Sequence, residues 1–129
     1  MLDTNIVSHA MRYPEGLVAR HLSTYRIDQI AVSILVVAEL RYGIAKVNSE
    51  RLARQAEWAL SAMTIVPLMP PADIAYANTR ISLEKAGTPI GPNDLWIAAH
   101  ALALDLPLIT ANIGEFSRVP NLRVENWLD

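Results

Sequence analysis

The sequence contains no cysteine, and this absence excludes disulfide bonds and thiolate metal sites. Long apolar runs are also missing. The longest unbroken runs, such as Ile34–Ala38, are far shorter than the roughly 20 residues that a membrane span needs. The opening MLDTNIVSHAMR lacks the basic segment and apolar stretch of a signal peptide. We therefore expect a soluble, cytoplasmic protein.

Charge of one sign is not in excess, because the formal net charge is only −2. Nucleic-acid-binding proteins are usually basic, so the charge argues mildly against this class. A nuclease that holds metal ions with carboxylates is an exception, because the bound cations reverse the local field. Composition alone leaves both classes open.

Repeats, low-complexity tracts and linker-like stretches are absent, so we treat residues 1–129 as one domain. The apolar pattern predicts strands at residues 1–4, 30–32, 64–68, 106–110 and 122–124. It predicts helices at residues 4–11, 14–21, 34–46, 50–63, 71–86 and 93–105, and a short turn or helix at residues 115–116. This alternation predicts an α/β layer fold with a mainly parallel sheet. Ligands of such sheets bind beyond the carboxyl ends of the strands, so chemistry is expected at that edge.

The first predicted strand is unusually short. Only Met1 and Leu2 precede Asp3, whereas strands usually span about five residues. Either this strand is truly short, or the natural chain begins upstream of Met1. In both cases Asp3 lies at a strand exit.

Acidic and amide side chains follow strands or begin helices at four separate places, namely Asp3, Glu39, Asp94, and Asn112 with Glu115. Carboxylates held close together raise each other's pKa, and a divalent cation removes that conflict. Mg²⁺ and Mn²⁺ prefer oxygen ligands, and a metal-bound water can attack a phosphodiester. The motifs CxxC, HExxH, GxSxG and GxxxxGK[ST] of other catalytic sites are absent. The pattern is consistent with a metal-dependent nuclease.

Each of these acids also has a purely structural interpretation. Asp3 could be an exposed terminal charge. Glu39 lies in LVVAELRYG and could pair with a lysine or arginine, because unpaired burial is costly. Asp94 could be a first-turn acid that the helix dipole favours. His100, which lies among apolar residues, is typical of a packed helix residue with a hydrogen-bond partner. Spacing alone leaves these alternatives open.

Four segments carry a family resemblance: MLDTNIVS, VSILVVAELRYGIAK, GTPIGPNDLWIAAHAL and LITANIGEFSRVPNLRVENW. In this order they resemble the PIN-domain proteins of the VapC type, the ribonuclease toxins of VapBC toxin–antitoxin pairs, and the related FitB proteins. The resemblance runs over essentially the whole chain. It implies a three-layer α/β/α sandwich with a short, mainly parallel central sheet, and a metal-dependent endoribonuclease.

The resemblance also implies the roles of individual residues. Asp3, Glu39 and Asp94 match the family's catalytic carboxylates and are expected to bind Mg²⁺ or Mn²⁺. The fourth acidic position of the family matches Asn112, an amide without charge, so we expect one well-held ion. Glu115 is expected to supply the missing charge through a water.

Two further groups of residues are predicted to support the site. Thr4 and Asn5 are expected to orient Asp3 or a metal-bound water. The candidates for contacts with RNA phosphates are Arg12, Arg41, Lys46 and Arg80.

The resemblance implies several partners. They are an RNA substrate, a second copy of the chain, and a VapB-type antitoxin whose C-terminal segment covers the acidic groove and which carries operator DNA. Residues 34–38 and 50–63 are candidate partner surfaces, although residues 34–38 could equally be core. Two alternatives remain. One is a catalytically weak binding module in a DNA-bound repressor complex, because Asn112 weakens the site. The other is a DNase or flap-type nuclease on the same fold.

Overall fold

A computed structural model describes residues 1–128 as helices that alternate with short strands. The helices are α1 (Thr4–Arg12), α2 (Leu17–Leu22), α3 (Ile34–Val47), α4 (Glu50–Leu60), α5 (Ala72–Lys85), α6 (Pro92–Ala103) and α7 (Ile113–Phe116). The strands are β1 (Ala31–Ser33), β2 (Thr64–Val66), β3 (Leu108–Ile109) and β4 (Val124–Glu125). These elements lie where the sequence predicts them, with ends shifted by a few residues. Within residues 1–128, none of the helices is long and apolar enough to cross a membrane.

The sheet is built around a single residue. β1 pairs with β2 and β3 pairs with β4, both in parallel. Leu2 joins the two pairs through parallel bridges to Val32 and Ile109. The Leu2 N–H donates to the Ala31 carbonyl (3.0 Å), and the Asp3 N–H donates to the Ile109 carbonyl (2.8 Å). The order is therefore β2–β1–Leu2–β3–β4, and the segment before Asp3 is held at its centre.

Successive strands are added outward from Leu2, first on one side of the sheet and then on the other. From Leu2 the chain moves outward to β1 and β2, then crosses to β3 and β4 on the other side. Right-handed crossovers in opposite directions place helices on opposite faces. The helix contacts follow this division in the main: α1 packs against α3 and α4, and α5 packs against α6, which also contacts α3. The predicted α/β fold is confirmed, and Asp3 lies at the switch point, where such sheets bind ligands.

The start of α3 is both core and surface. Val36 and Val37 are buried, whereas Ile34 and Ala38 are exposed. Residues 34–38 are thus not uniformly buried, because only one face of the helix meets the sheet. The exposed face remains available to a partner.

A buried hydrogen bond between Ser33 and His100 links β1 to α6. The Ser33 Oγ lies 2.8 Å from His100 Nδ1 and also accepts from the Leu35 N–H (3.1 Å), which caps α3. Burial lowers the pKa of His100, and the Pro67 carbonyl opposes that shift. The prediction of a packed histidine with a partner is confirmed.

Replacing Ser33 with alanine should therefore destabilise the protein by about 1–3 kcal/mol, because a cap is lost and a buried imidazole loses one of its hydrogen-bond partners. Urea unfolding at pH 8 measures this change. Ser49→Ala is the matched control, because Ser49 caps α4 through the Leu52 N–H without a buried partner. Equal losses in the two variants would show that the bond to His100 contributes nothing.

Candidate active site

Asp3 is held in place by two hydrogen bonds. It follows Leu2 and caps α1, so that its carboxylate accepts from the Thr4 N–H (2.8 Å). The other oxygen accepts from the Thr110 hydroxyl (2.7 Å). The residue is only 5% exposed. Burial raises the pKa of Asp3, the two hydrogen bonds oppose this shift, and the charge of Glu115 adds to it. Asp3 is therefore not a frayed terminal charge.

Glu39 reaches the same place from α3. Its Oε2 accepts from the Thr4 hydroxyl (3.1 Å), while its Oε1 is buried and has no hydrogen-bond partner among residues 1–128. Burial raises the pKa of Glu39, and the charge of Asp3 raises it further. None of the ion pairs within residues 1–128 includes Glu39, so the alternative of a structural salt bridge is not found.

Asp94 has the largest pKa shift of the site residues. It lies in the first turn of α6, which begins with Pro92 after Gly91. Burial raises the pKa of Asp94 to about 7, with further contributions from Glu115, Asp3 and Glu39. A helix N-terminus favours the charged form. The shift has the opposite direction, so repulsion and burial outweigh the dipole here.

Glu115 and Asn112 complete the acidic cluster from the segment after β3. Glu115 Oε1 accepts from the Gly91 N–H (3.0 Å), and its Oε2 accepts from Asn112 Nδ2 (2.8 Å). These bonds lower the pKa of Glu115, which also shares a hydrogen bond with Asp94. The pKa shifts of the two carboxyls therefore have opposite directions, upward for Asp94 and downward for Glu115.

These side chains line an open groove of about 540 Å³. Its walls are Asp3, Thr4, Asn5, Ser8, His9, Arg12, Tyr13, Glu39, Asp94, Asn112 and Leu128. The structure thus brings together the three predicted carboxylates with Thr4, Asn5, Arg12 and Asn112, and Glu115 joins them through Asp94. The fold alone gathers these residues, because they come from opposite ends of the sequence.

Three of the predicted RNA-binding cations do not line this groove. Arg41 pairs with Glu57 on α4 (2.6 Å), and Arg80 pairs with Glu84 (2.9 Å) along α5. Lys46 is exposed in the last turn of α3. Of the four candidates, only Arg12 lies beside the carboxylates.

The oxygen atoms of the site suit a hard divalent cation, although their present positions do not form a complete set of metal ligands. Carboxylate and amide oxygens are the ligands that Mg²⁺ and Mn²⁺ prefer. The unpartnered Glu39 Oε1 and the raised pKa values are what such a cation would relieve. Within residues 1–128, no three histidine or acidic side chains converge as a ready-made metal site. Metal-bridging distances between Asp3, Glu39 and Asp94 therefore stay a prediction.

Sequence reasoning missed two supporting groups. Thr110 is fully buried, donates to Asp3 and accepts from the Asn112 N–H (3.0 Å). Its signal was a hydroxyl residue at the end of an apolar strand, two residues before Asn112. The Gly91 N–H, which binds Glu115, left no signal, because backbone donors are common to all sequences.

Comparison with known proteins gives the same assignment. The model of the PIN domain family matches residues 1–122. The chain is 39% identical over 129 residues to ribonuclease VapC2 of Rickettsia felis, covering 98% of this chain and 96% of the relative. It is 35% identical over 130 residues to the tRNA(fMet)-specific endonuclease VapC of Salmonella typhimurium, covering 98% and 96%.

A solved structure extends the likeness to the fold. The structure of VapBC2 from Rickettsia felis bound to a DNA fragment from its promoter matches with a TM-score of 0.88 and 37% identity. The match covers 98% of this chain and 97% of that chain. The chain therefore belongs to the PIN-domain family, within its VapC-type ribonucleases.

Proposed function

We propose that the chain is the toxin of a toxin–antitoxin pair, a divalent-metal-dependent endoribonuclease that hydrolyses RNA phosphodiester bonds. The observation that carries this proposal is that four acids lie together where the carboxyl ends of the strands meet, namely Asp3, Glu39, Asp94 and Glu115. None of the ion pairs within residues 1–128 includes these acids, and a divalent cation relieves their repulsion. The names of the VapC relatives favour an active ribonuclease over a binding module.

The residues of the chain divide the work of such a site. Asp3, Glu39 and Asp94 would hold Mg²⁺ or Mn²⁺, which supplies a readily deprotonated water and positive charge for the phosphate. Thr110 and the Thr4 N–H orient Asp3. Glu39 offers its free Oε1. Asp94 would have to give up its proton to act as a ligand, because carboxylate ligands bind metal in the deprotonated form.

Asn112 supports the expectation of one well-held ion. As an amide it brings no charge, and its Nδ2 already donates to Glu115. Both Glu115 oxygens accept hydrogen bonds, from Gly91 and Asn112, so Glu115 is better placed to act through a water than as a direct ligand.

The same proposal includes an antitoxin and a homodimer. The acidic groove is suited to a basic residue of an antitoxin, and the Rickettsia felis structure contains such a complex on promoter DNA. Exposed apolar side chains on α3 and α4 provide surface for partners; they are Ile34, Tyr42, Val47 and Trp58. These residues lie partly in the candidate segments 34–38 and 50–63.

Incubation of the purified protein with total RNA and Mg²⁺ or Mn²⁺ should yield discrete fragments. We expect EDTA to stop cleavage and excess Mg²⁺ to restore it, because the carboxylates alone supply no nucleophile. Denaturing gels measure the fragments, and a single-stranded DNA of matched length tests the DNase alternative. Cleavage that persists in EDTA would exclude the metal, and the absence of cleavage on every RNA would favour the binding module.

A further inference from the structure

A second groove, of about 640 Å³, continues from the acidic groove along the loop between α1 and α2. The two grooves share His9, Arg12 and Tyr13, so an extended chain in one can pass directly into the other. The second groove is also lined by Arg20 and Glu15. Its charged residues are therefore mainly cationic, in contrast to the acids of the first groove.

The arginines of this groove are free to bind phosphate. Arg12 and Arg20 make no side-chain hydrogen bond or ion pair with residues 1–128 in the described structure. Five other arginines are each paired with an acid: Arg26, Arg41, Arg54, Arg80 and Arg123. A guanidinium without a carboxylate partner offers its full set of donors to phosphate oxygens.

Tyr13 is an exposed aromatic ring on a fixed backbone. It is 57% exposed, and its ring lies against His9 with centroids 4.8 Å apart. The Tyr13 N–H donates to the His9 carbonyl (2.9 Å), and its carbonyl accepts from the Gly16 N–H (2.9 Å). A Cβ on Gly16 would lie 2.9 Å from His9 Cε1 and 3.0 Å from Tyr13 Cβ, so the turn closes tightly around both rings. Such a ring can stack a base at little entropic cost.

We propose that this second groove binds single-stranded RNA beside the scissile phosphate, with one base stacked on Tyr13 and the adjoining phosphates bonded to Arg12 and Arg20. The inference rests on the proposed ribonuclease function. Aromatic platforms beside cationic side chains are the recurrent means of binding single strands without sequence readout. The base must be unstacked to reach the ring, so a loop or an end of an RNA fits and a continuous duplex does not.

Binding of two fluorescein-labelled 12-mers tests the proposal, in EDTA and at low salt so that no cleavage intervenes. One is a mixed-sequence single-stranded RNA, and the other has the same backbone without bases. We expect Tyr13→Leu to weaken binding of the first about ten-fold and to leave the abasic strand unchanged, and Tyr13→Phe to bind like the wild type. Arg20→Gln should weaken the binding of both strands and reduce the slope of log Kd against log salt concentration by about 0.7.

The controls separate this inference from the proposed function. Tyr25→Leu makes the same change at another exposed tyrosine, which lines neither groove, and should bind like the wild type. Equal affinity of Tyr13→Leu and wild type for the mixed-sequence RNA would overturn the inference, as would an equal loss on the abasic strand. A wild type that binds neither strand would also overturn it, as would a Tyr13→Leu effect confined to antitoxin binding.

Cleavage provides the second measurement. Tyr13→Leu should raise KM about ten-fold with kcat unchanged, because a stacked neighbour contributes equally to ground state and transition state. Active enzyme with an unchanged KM would refute the Tyr13 subsite and leave the ribonuclease intact. Tyr13-dependent RNA binding without any cleavage would refute the ribonuclease instead.

Discussion

Replacing Asp94 with asparagine is expected to lower RNA cleavage on the order of 100- to 1,000-fold, because a metal ion supplies several kcal/mol of transition-state stabilisation and each 1.36 kcal/mol is a factor of ten. The same substitution is expected to stabilise the metal-free protein above pH 7. Loss of activity and gain of stability together indicate a residue that is kept for function.

The stability gain follows from the pKa of Asp94, which is raised to about 7 from 3.8. Between these values the folded state binds the proton and the unfolded state does not. The stability of the metal-free protein therefore falls as the pH rises through this window, and the loss is complete above about pH 7. Asparagine carries no charge, so it removes this loss, which we place at about 1–2 kcal/mol because partial exposure screens the repulsion.

Urea unfolding in EDTA at pH 4 and pH 8 measures this effect. The gain in the Asp94→Asn variant should be present at pH 8 and absent at pH 4. Asp73→Asn is the matched control, since Asp73 is an exposed first-turn acid of α5, and its loss should cost about 0.3–1 kcal/mol through the helix dipole. Destabilisation of Asp94→Asn at pH 8 by a similar amount would show that Asp94 serves as an ordinary helix-terminal acid.

Replacing Thr110 with valine should lower metal affinity and cleavage on the order of 10- to 100-fold, although Thr110 is not expected to touch the metal or the RNA. Valine keeps the shape and removes the hydroxyl that donates to Asp3 and accepts from the Asn112 N–H. Since these partners are partly or fully buried, we also expect a loss of about 1–3 kcal/mol in the free energy of unfolding.

The pH profile of cleavage distinguishes positioning from simple destabilisation. The Thr110 hydroxyl lowers the pKa of Asp3, so its removal should raise that pKa and move the acidic limb of the profile to higher pH. Thr110→Ser should restore the wild-type profile. Thr79→Val changes another buried threonine, on α5, and should leave cleavage unchanged. An unshifted profile in Thr110→Val would exclude the positioning role.

Most of the fold was predictable because local signals agreed with the tertiary structure. Ser33 and Ser49 cap the helices they precede, and Gly87, at φ +71°, ends α5 in the left-handed conformation that favours glycine. The strand predicted at residues 106–110 pairs only at Leu108–Ile109. Pro107 has no N–H to donate to a ladder, and this explains its later start.

The sequence indicated the acidic residues of the candidate site, but it did not indicate all of the hydrogen bonds and ion pairs around them. Asp3 follows a strand, Glu39 and Asp94 lie on helices, and the family resemblance implied that the three act together; the structure places all three along one groove. The bond of Arg80 to Glu84 was readable as a spacing of four residues on a helix. The bond of Arg41 to Glu57 was not, because it joins two helices whose contact only the fold determines.

The central position of Leu2 also fixes when the site can form during synthesis of the chain. The Asp3 N–H donates to the Ile109 carbonyl (2.8 Å). The N–H of Thr110, whose hydroxyl donates to Asp3, in turn donates to the Glu125 carbonyl (2.9 Å). Asp3 therefore reaches its place in the groove only after residues near Glu125 have been made, a delay on the order of ten seconds at about 5–20 residues per second. The acidic groove is therefore a late product of chain synthesis, although one of its carboxylates lies at residue 3.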